Sequence, residues 1–198
     1  MLEHKYVITM PWKEERMKHF RNEMRVMWRD DVEEVYGVDW EKYVEEHGLK
    51  LRDGVQVRHI GNFLSHLNIL KDALEKWYDE IIVMEDDLIL QIYAKAFHPR
   101  MLEQCPNDRE LLRLSWCYSP AMIARKPINN QWMEDVWPRW TEMYQVRWDW
   151  IRKLYEYLLH HTNTIPIDRV IHKAPVKSYM AIYPLGMQRS NYPLDSNK

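Results

Sequence analysis

In the stretch EIIVMEDDLIL, Glu80 to Leu90, three consecutive carboxylates (Glu85, Asp86 and Asp87) follow four apolar residues, and apolar residues resume at once. Unpartnered carboxylates are costly to bury, and adjacent negative charges repel one another. Either the chain surfaces at Glu85 or something positive sits there. If Ile81 to Met84 form a central strand, the acids fall at its carboxyl end, where open α/β sheets bind ligands. Extended backbone turns Glu85 and Asp87 to one side and Asp86 to the other. An acidic-x-Asp pair of this kind suits one hard divalent cation. Mg²⁺ and Mn²⁺ take oxygen ligands, often one or two carboxylates completed by substrate phosphates and water, and such an ion neutralises a diphosphate leaving group. The plain structural alternative is a solvated strand end whose acids cap a following helix.

The rest of the chain separates the metal-using chemistries. Aspartate-nucleophile phosphatases place Asp-x-Asp after the first strand, but here that strand runs into ITMPWK, with no acid. Two-metal nucleotidyltransferases set a Gly-Ser turn ahead of their acidic pair, and none is present. The sequence also lacks a Gly-x-x-x-x-Gly-Lys phosphate loop, an HExxH pair and a CxxC pair. What remains is a nucleotide-sugar transferase, whose strand-end acids hold Mn²⁺ against a nucleoside diphosphate.

Positioning these acids requires a scaffold, and the periodicities supply one. KYVITM, Lys5 to Met10, reads as a strand, and Trp12, Met17, Phe20, Met24 and Met27 recur at helical spacing after it. VEEVYGVDW, Val32 to Trp40, reads as a short strand and turn, and EKYVEEHG as a short helix stopped by Gly48. From Ile60 to Trp77 one apolar stripe joins Ile60, Phe63, Leu64, Leu67, Leu70, Leu74 and Trp77. This predicted helix leads into IIVM, an apolar run typical of a strand covered on both faces. Further strands are predicted near Glu110 to Trp116 and Ala121 to Arg125. Met133 to His160 is expected to be mostly helical, broken near Pro138, and VKSYMAIYPLG supplies a last strand. Strands alternating with helices predict an α/β domain with a mostly parallel central sheet.

The 198 residues suit one domain with a real core. A net charge of −2 with interspersed signs argues against nucleic acid and membrane surfaces as partners. Ten Trp and twelve Tyr fit an aromatic-rich core, or exposed rings that stack on sugars. Cys105 and Cys117 match neither a metal site nor a disulfide framework, and read as free thiols of a reducing compartment. The charged start MLEHKYVITMPW is no signal peptide, and no apolar run has the length of a transmembrane helix. A cytoplasmic protein, or a soluble domain excised from a larger one, is expected.

The order of motifs resembles glycosyltransferase family 25, which includes lipooligosaccharide galactosyltransferases and collagen galactosyltransferase domains. The likeness lies in YVITM followed by Arg16 in EERMKHF, in YGVDW (Tyr36 to Trp40), in RHIGNFLSH (Arg58 to His66) and in IIVMEDDLIL. Late in the chain, IPIDRVI carries Pro166 and Asp168, and YMAIYPLGMQRS carries Pro184, Gln188 and Ser190. The chain departs from the family at Asn62, where the family has Cys, at Arg58 and Trp40, where it has Gly, and in the Trp-rich stretch Gln131 to Tyr157.

The resemblance implies a GT-A-like single domain that uses a UDP-sugar, with galactose or glucose favoured, and Mn²⁺ or Mg²⁺. Residues 1 to about 125 would bind the nucleotide-sugar. Those from about 126 to 198 would form the acceptor side, toward a glycan or glycoconjugate of lipopolysaccharide or glycan biosynthesis. Asp87 is the expected metal ligand, with Glu85 or Asp86 touching ribose or metal-bound water. Asp168 is the candidate general base that takes the acceptor proton, with a helix N-cap as its alternative. His172, four residues on, is a candidate third ligand or diphosphate contact, or else a half-buried histidine. Ser65 and His66 either contact the donor or lock their helix against the carboxylate strand. Arg16 is placed to reach the nucleotide or its phosphates, and Gln188, Arg189 and Ser190 to close over the diphosphate. A nucleotide-sugar hydrolase and a non-catalytic carbohydrate-binding relative are the competing readings.

Overall fold

Four apolar residues with no polar alternation need cover on both faces, and Ile81, Ile82, Val83 and Met84 receive it, each being 0% exposed. A computed structural model describes residues 3–27, 31–48, 56–115, 127–134, 142–161 and 166–188. The first half contains β1 (Glu3–Thr9), α1 (Glu14–Met27), β2 (Glu33–Tyr36), α2 (Trp40–His47), α3 (Val57–Glu75), β3 (Glu80–Glu85), β4 (Leu88–Leu90) and α4 (Ala94–Glu103). The second contributes β5 (Leu111–Arg113), β6 (Trp132–Glu134), β7 (Met143–Arg147), α5 (Trp148–Leu159), α6 (Ile167–Lys173), β8 (Ser178–Ala181) and β9 (Gly186–Gln188).

Among the described residues, seven strands form one sheet in the order β2-β1-β3-β7-β5-β8-β6, and β4 pairs with β9 in a separate ribbon. β2, β1, β3, β5 and β8 run one way, while β7 and β6 run against them. The fold is therefore α/β with a mostly parallel central sheet. Ile81 and Val83 face a core closed by Phe63, Leu67 and Leu70 of α3, Ile151, Leu154 and Leu158 of α5, and Val170 and Ile171 of α6. Ile82 and Met84 face the opposite core, with Met17, Phe20 and Met24 of α1 and Ala94 and Met101 of α4. Each such side chain contributes roughly 1.5–3 kcal/mol when fully buried. Among the described residues no helix is long and apolar enough to cross a membrane.

The structure differs from the periodicity in three places. Among the described residues of the expected Met133 to His160 helix, only Trp148–Leu159 is helical; Trp132–Glu134 and Met143–Arg147 are strands. Period two explains β7, since Tyr144 and Val146 enter one core and Met143 the other. Gln145 is buried there because His98 bonds its Oε1 at 3.0 Å. Trp77 lies beyond the helix it was expected to extend. It is 74% exposed and left-handed at φ 58°, where the Tyr78 N–H closes the helix onto the Ala73 carbonyl. The β4–β9 ribbon was not foreseen, because three-residue strands carry no periodicity. Ala121 to Arg125, Trp116, Cys117 and Pro138 lie outside the described residues.

α3 approaches the loop before α2 at Gly61. A Cβ there would stand 2.8 Å from the Val38 carbonyl oxygen and 2.8 Å from the Trp40 ring. Alanine gains about 1 kcal/mol of helix propensity over glycine, but a backbone carbonyl cannot swing aside, and overpacking costs roughly 1–3 kcal/mol. Gly61→Ala is expected to lower the urea midpoint with an unchanged denaturant slope; an equal or higher midpoint would show that the contact is not tight.

Candidate active site

β3 ends at Glu85, and Asp86 and Asp87 make the turn into β4, so the extended alternation expected through Asp87 stops two residues early. Backbone bonds clamp this turn from both sides. The Asp86 N–H donates to the Ile8 carbonyl at 3.1 Å, and the Glu85 N–H donates to the Glu142 carbonyl at 2.9 Å. The strand end thus sits between the end of β1 and the residue that enters β7.

The three acids then face different partners. Asp86 turns to the α1 side, accepting from the Thr9 hydroxyl at 2.9 Å and lying 3.3 Å from Arg16 Nη2. The same guanidinium nitrogen is 2.9 Å from Asp87 Oδ2, which also accepts from Gln188 Nε2 at 3.1 Å. The other oxygen, Asp87 Oδ1, is buried and has no hydrogen-bond partner among the described residues. Glu85 turns to α3, where Asn62 Nδ2 donates to its Oε1 at 3.3 Å and His66 Nε2 stands 3.4 Å away. A carboxylate only accepts, so Nε2 carries the proton toward Glu85. His66 Nδ1 is 3.0 Å from the Tyr144 hydroxyl, in a fully buried pair.

A fourth carboxylate, Glu142, completes the cluster from the β7 side. It is 1% exposed, and its Oε2 accepts from the Ser115 hydroxyl at 3.4 Å. Burial and the charge of Glu85 push Glu142 up to about 9. Burial and Glu85 likewise raise Asp87 to about 6, against the opposing pull of Arg16 and Gln188. Asp86 is raised by burial, with Arg16 and Thr9 acting to lower it and a weaker contribution from Lys13. Four carboxylates therefore converge where Arg16 and Lys13 offset them only in part.

The remaining expected residues lie as follows. Ser65 is buried and committed to backbone, donating to the Gly61 carbonyl at 2.6 Å and accepting from the Val38 N–H at 2.9 Å. Asp168 is not the N-cap of α6. Pro166 holds that position, and Asp168 in the first turn accepts from the Arg169 N–H at 2.9 Å. Its charge acts on His59 of α3, three residues before Asn62. His172 is in the last turn of α6. Gln188 is the last described residue, so Arg189 and Ser190 lie outside. Among the described residues no three His, Cys, Asp or Glu side chains are arranged to hold a metal ion by themselves.

Sequence reasoning missed Thr9, Asn62 as a Glu85 ligand, Ser115, Glu142 and Tyr144. Only Thr9 had a usable signal, the polar end of a strand parallel to β3. Glu142 and Ser115 are brought in by strand order, which their own neighbours in sequence do not reveal.

No family model matches the chain. It is 32% identical over 114 residues to Procollagen galactosyltransferase 1-B of Xenopus laevis, a match covering 52% of this chain and 18% of the frog protein. Among solved structures, it is similar to a glycosyltransferase involved in the glycosylation of the major capsid of PBCV-1, at TM-score 0.56 and 9% identity. That match covers 97% of this chain and 94% of the other. It is also similar to mannose-1-phosphate geranyltransferase from Thermus thermophilus, at TM-score 0.50 and 11% identity, over 96% of this chain and 75% of that one. At such identities the structural likeness establishes the fold, a GT-A-like α/β sheet, and the sequence match adds a glycosyltransferase relative over part of its length.

Proposed function

We propose that the protein is a metal-dependent glycosyltransferase that moves a hexose, galactose or glucose, from a UDP-sugar to a hydroxyl of a glycan or glycoconjugate. The observation that carries this reading is Asp87 Oδ1, buried and without a partner among the described residues, in a group of four carboxylates at the carboxyl end of β3. Hard oxygen donors in negative excess fit Mn²⁺ or Mg²⁺, and one or two carboxylates suffice when donor phosphates and water complete the shell. Asp87, with Glu85 beside it, would hold the ion, which supplies charge neutralisation for the diphosphate leaving group. Arg16 and Lys13 take the phosphates from the α1 side, and Gln188 ties the late segment to Asp87. Asp168, with Asp86 and Ser190 serving the donor, takes the acceptor proton, and His172 lies on the same helix. The galactosyltransferase relative supports the sugar class, and the acceptor belongs to the half beyond residue 125.

A ligand that binds only the folded state raises its stability. Saturating UDP-galactose or UDP-glucose with Mn²⁺ is expected to raise Tm by about 5–10 °C at a hundredfold excess over Kd. Asp87→Asn should abolish that shift and the transfer activity while the circular dichroism spectrum is kept. If no nucleoside diphosphate or its sugar stabilises the wild-type protein with Mn²⁺ present, the reading fails. UDP release that ignores every added acceptor would instead identify a hydrolase.

Asp168→Asn separates base from donor site. Donor binding should persist within about twofold while transfer falls by at least about 10²-fold, the usual contribution of general-base catalysis. Unchanged transfer would return Asp168 to a structural role in the first turn of α6.

The raised carboxylates also fix a pH dependence. Asp87, at about 6, and Glu142, at about 9, hold protons in the folded protein that the unfolded chain releases in the ordinary carboxylate range. That stabilisation is complete below the ordinary range and is lost as pH rises through about 6 and then toward 9. Metal-free protein should therefore lose stability between pH 5 and 9, at up to about 1.4 kcal/mol per pH unit for each group. Mn²⁺ should flatten the slope. Denaturant titrations across that range check it, and a flat metal-free profile would contradict the cluster's electrostatics.

A further inference from the structure

The polar groups at the strand ends are sorted by charge across the sheet. On the β1 side of β3 stand Thr9, whose hydroxyl donates to Asp86, Lys13, whose charge acts on Asp86, and Arg16, which pairs with both Asp86 and Asp87. On the other side, β7 follows β3 and β5 follows β7. Among the described residues, the groups presented there include Glu142, just ahead of β7, and Ser115, two residues past β5. The two are hydrogen-bonded to each other at 3.4 Å and are both 1% exposed. The charges that act most on Glu142 are those of Glu85 and Asp87, all negative. Arg113, the nearest cation along β5, is paired in register with Tyr144, and its charge acts on that phenol.

A nucleoside diphosphate sugar has matching polarity. Its diphosphate is anionic and its transferred sugar is neutral and rich in hydroxyl groups. The anionic part belongs with Arg16, Lys13 and the ion that Asp87 would hold, across β3 from Glu142. A sugar hydroxyl is a fitting partner for a carboxyl group and a serine hydroxyl already held together. Because both groups are buried, a donor lacking the right hydroxyl leaves them unsatisfied, which is how a polar pocket discriminates strongly between close analogues.

We propose that Glu142, oriented by Ser115, hydrogen-bonds the hydroxyls of the transferred sugar and so selects the donor; this rests on the nucleotide-sugar reading of the site given above. The donor lies across the end of β3, diphosphate toward α1 and sugar toward β7 and β5. Glu142 is then a specificity residue, distinct from the carboxylates that serve the diphosphate.

The test compares UDP with UDP-galactose, UDP-glucose and UDP-N-acetylglucosamine by titration calorimetry in Mn²⁺, on the wild type, Glu142→Gln and Ser115→Ala. UDP affinity should stay within about twofold in both variants. The added affinity that the sugar confers on the preferred donor should fall about tenfold or more in Glu142→Gln, as expected when a buried polar group loses its fitting hydrogen-bond partner. The preference order among the three donors should flatten. An unchanged sugar contribution and preference order would overturn the proposal, as would equal weakening of UDP and UDP-sugars, which would assign Glu142 to the diphosphate. A wild type that binds neither UDP nor any of its sugars overturns the transferase reading and this one together. If Glu142→Gln does not fold, Glu142→Asp, which keeps the carboxyl group but shortens the reach, and Ser115→Ala carry the same comparison.

Discussion

Arg16 lies across two carboxylates at the end of a strand that is buried on both faces, and the fold around the site depends on that contact. The guanidinium reaches Asp86 and Asp87 from the first turn of α1, because β1 runs parallel to β3 and α1 packs back over Ile82 and Met84. Arg16 is 20% exposed, so removing it costs less than breaking a fully buried pair, but it leaves two largely buried carboxylates without their guanidinium. The turn between β3 and β4 can therefore carry two acids only while α1 is docked. Gln188 adds a second tie from β9, so the two ends of the chain meet at one carboxylate.

One arginine does not balance the cluster. Glu85, Asp86, Asp87 and Glu142 stand together, and burial raises three of them above the ordinary carboxylate range. A fold selected for stability alone gains nothing from this arrangement, since apolar residues of similar volume would pack without the repulsion. Perturbed carboxylates gathered in this way are a mark of functional sites. The place is also right, beyond the carboxyl end of a central strand in an open α/β sheet.

Much of this was legible in the sequence because it is local. The apolar run of β3, the stripe of α3, the stop at Gly48 and the acids of Glu85 to Asp87 each announce themselves within a few residues. β7 was not legible, since it lies in a Trp- and Tyr-rich stretch that reads as helical, and only its antiparallel place between β3 and β5 makes period two decisive. Glu142 was missed for the same reason: a lone acid gains meaning only when strand order sets it beside Glu85. Trp77 was misplaced because a helix stripe does not say where the helix stops, and here a bulky residue takes the left-handed position that glycine favours.

The two outer acids of Glu85-Asp86-Asp87 look equivalent in sequence and are not equivalent in the fold. Gly61 brings α3 against the α2 loop, and Ser65 pins it there through the Val38 N–H. That docking fixes the phase of α3, so Asn62 and His66 both meet Glu85 at the same oxygen. Asn62 is where the chain departs from the family it resembles, and a cysteine in its place would be a far weaker donor. Glu85 is thus held by α3, whereas Asp87 keeps a buried oxygen with no partner among the described residues. Under the proposed function the labour divides accordingly. Glu85 shapes the field from a fixed position, raising both Asp87 and Glu142, and Asp87 is the acid with an oxygen left to give.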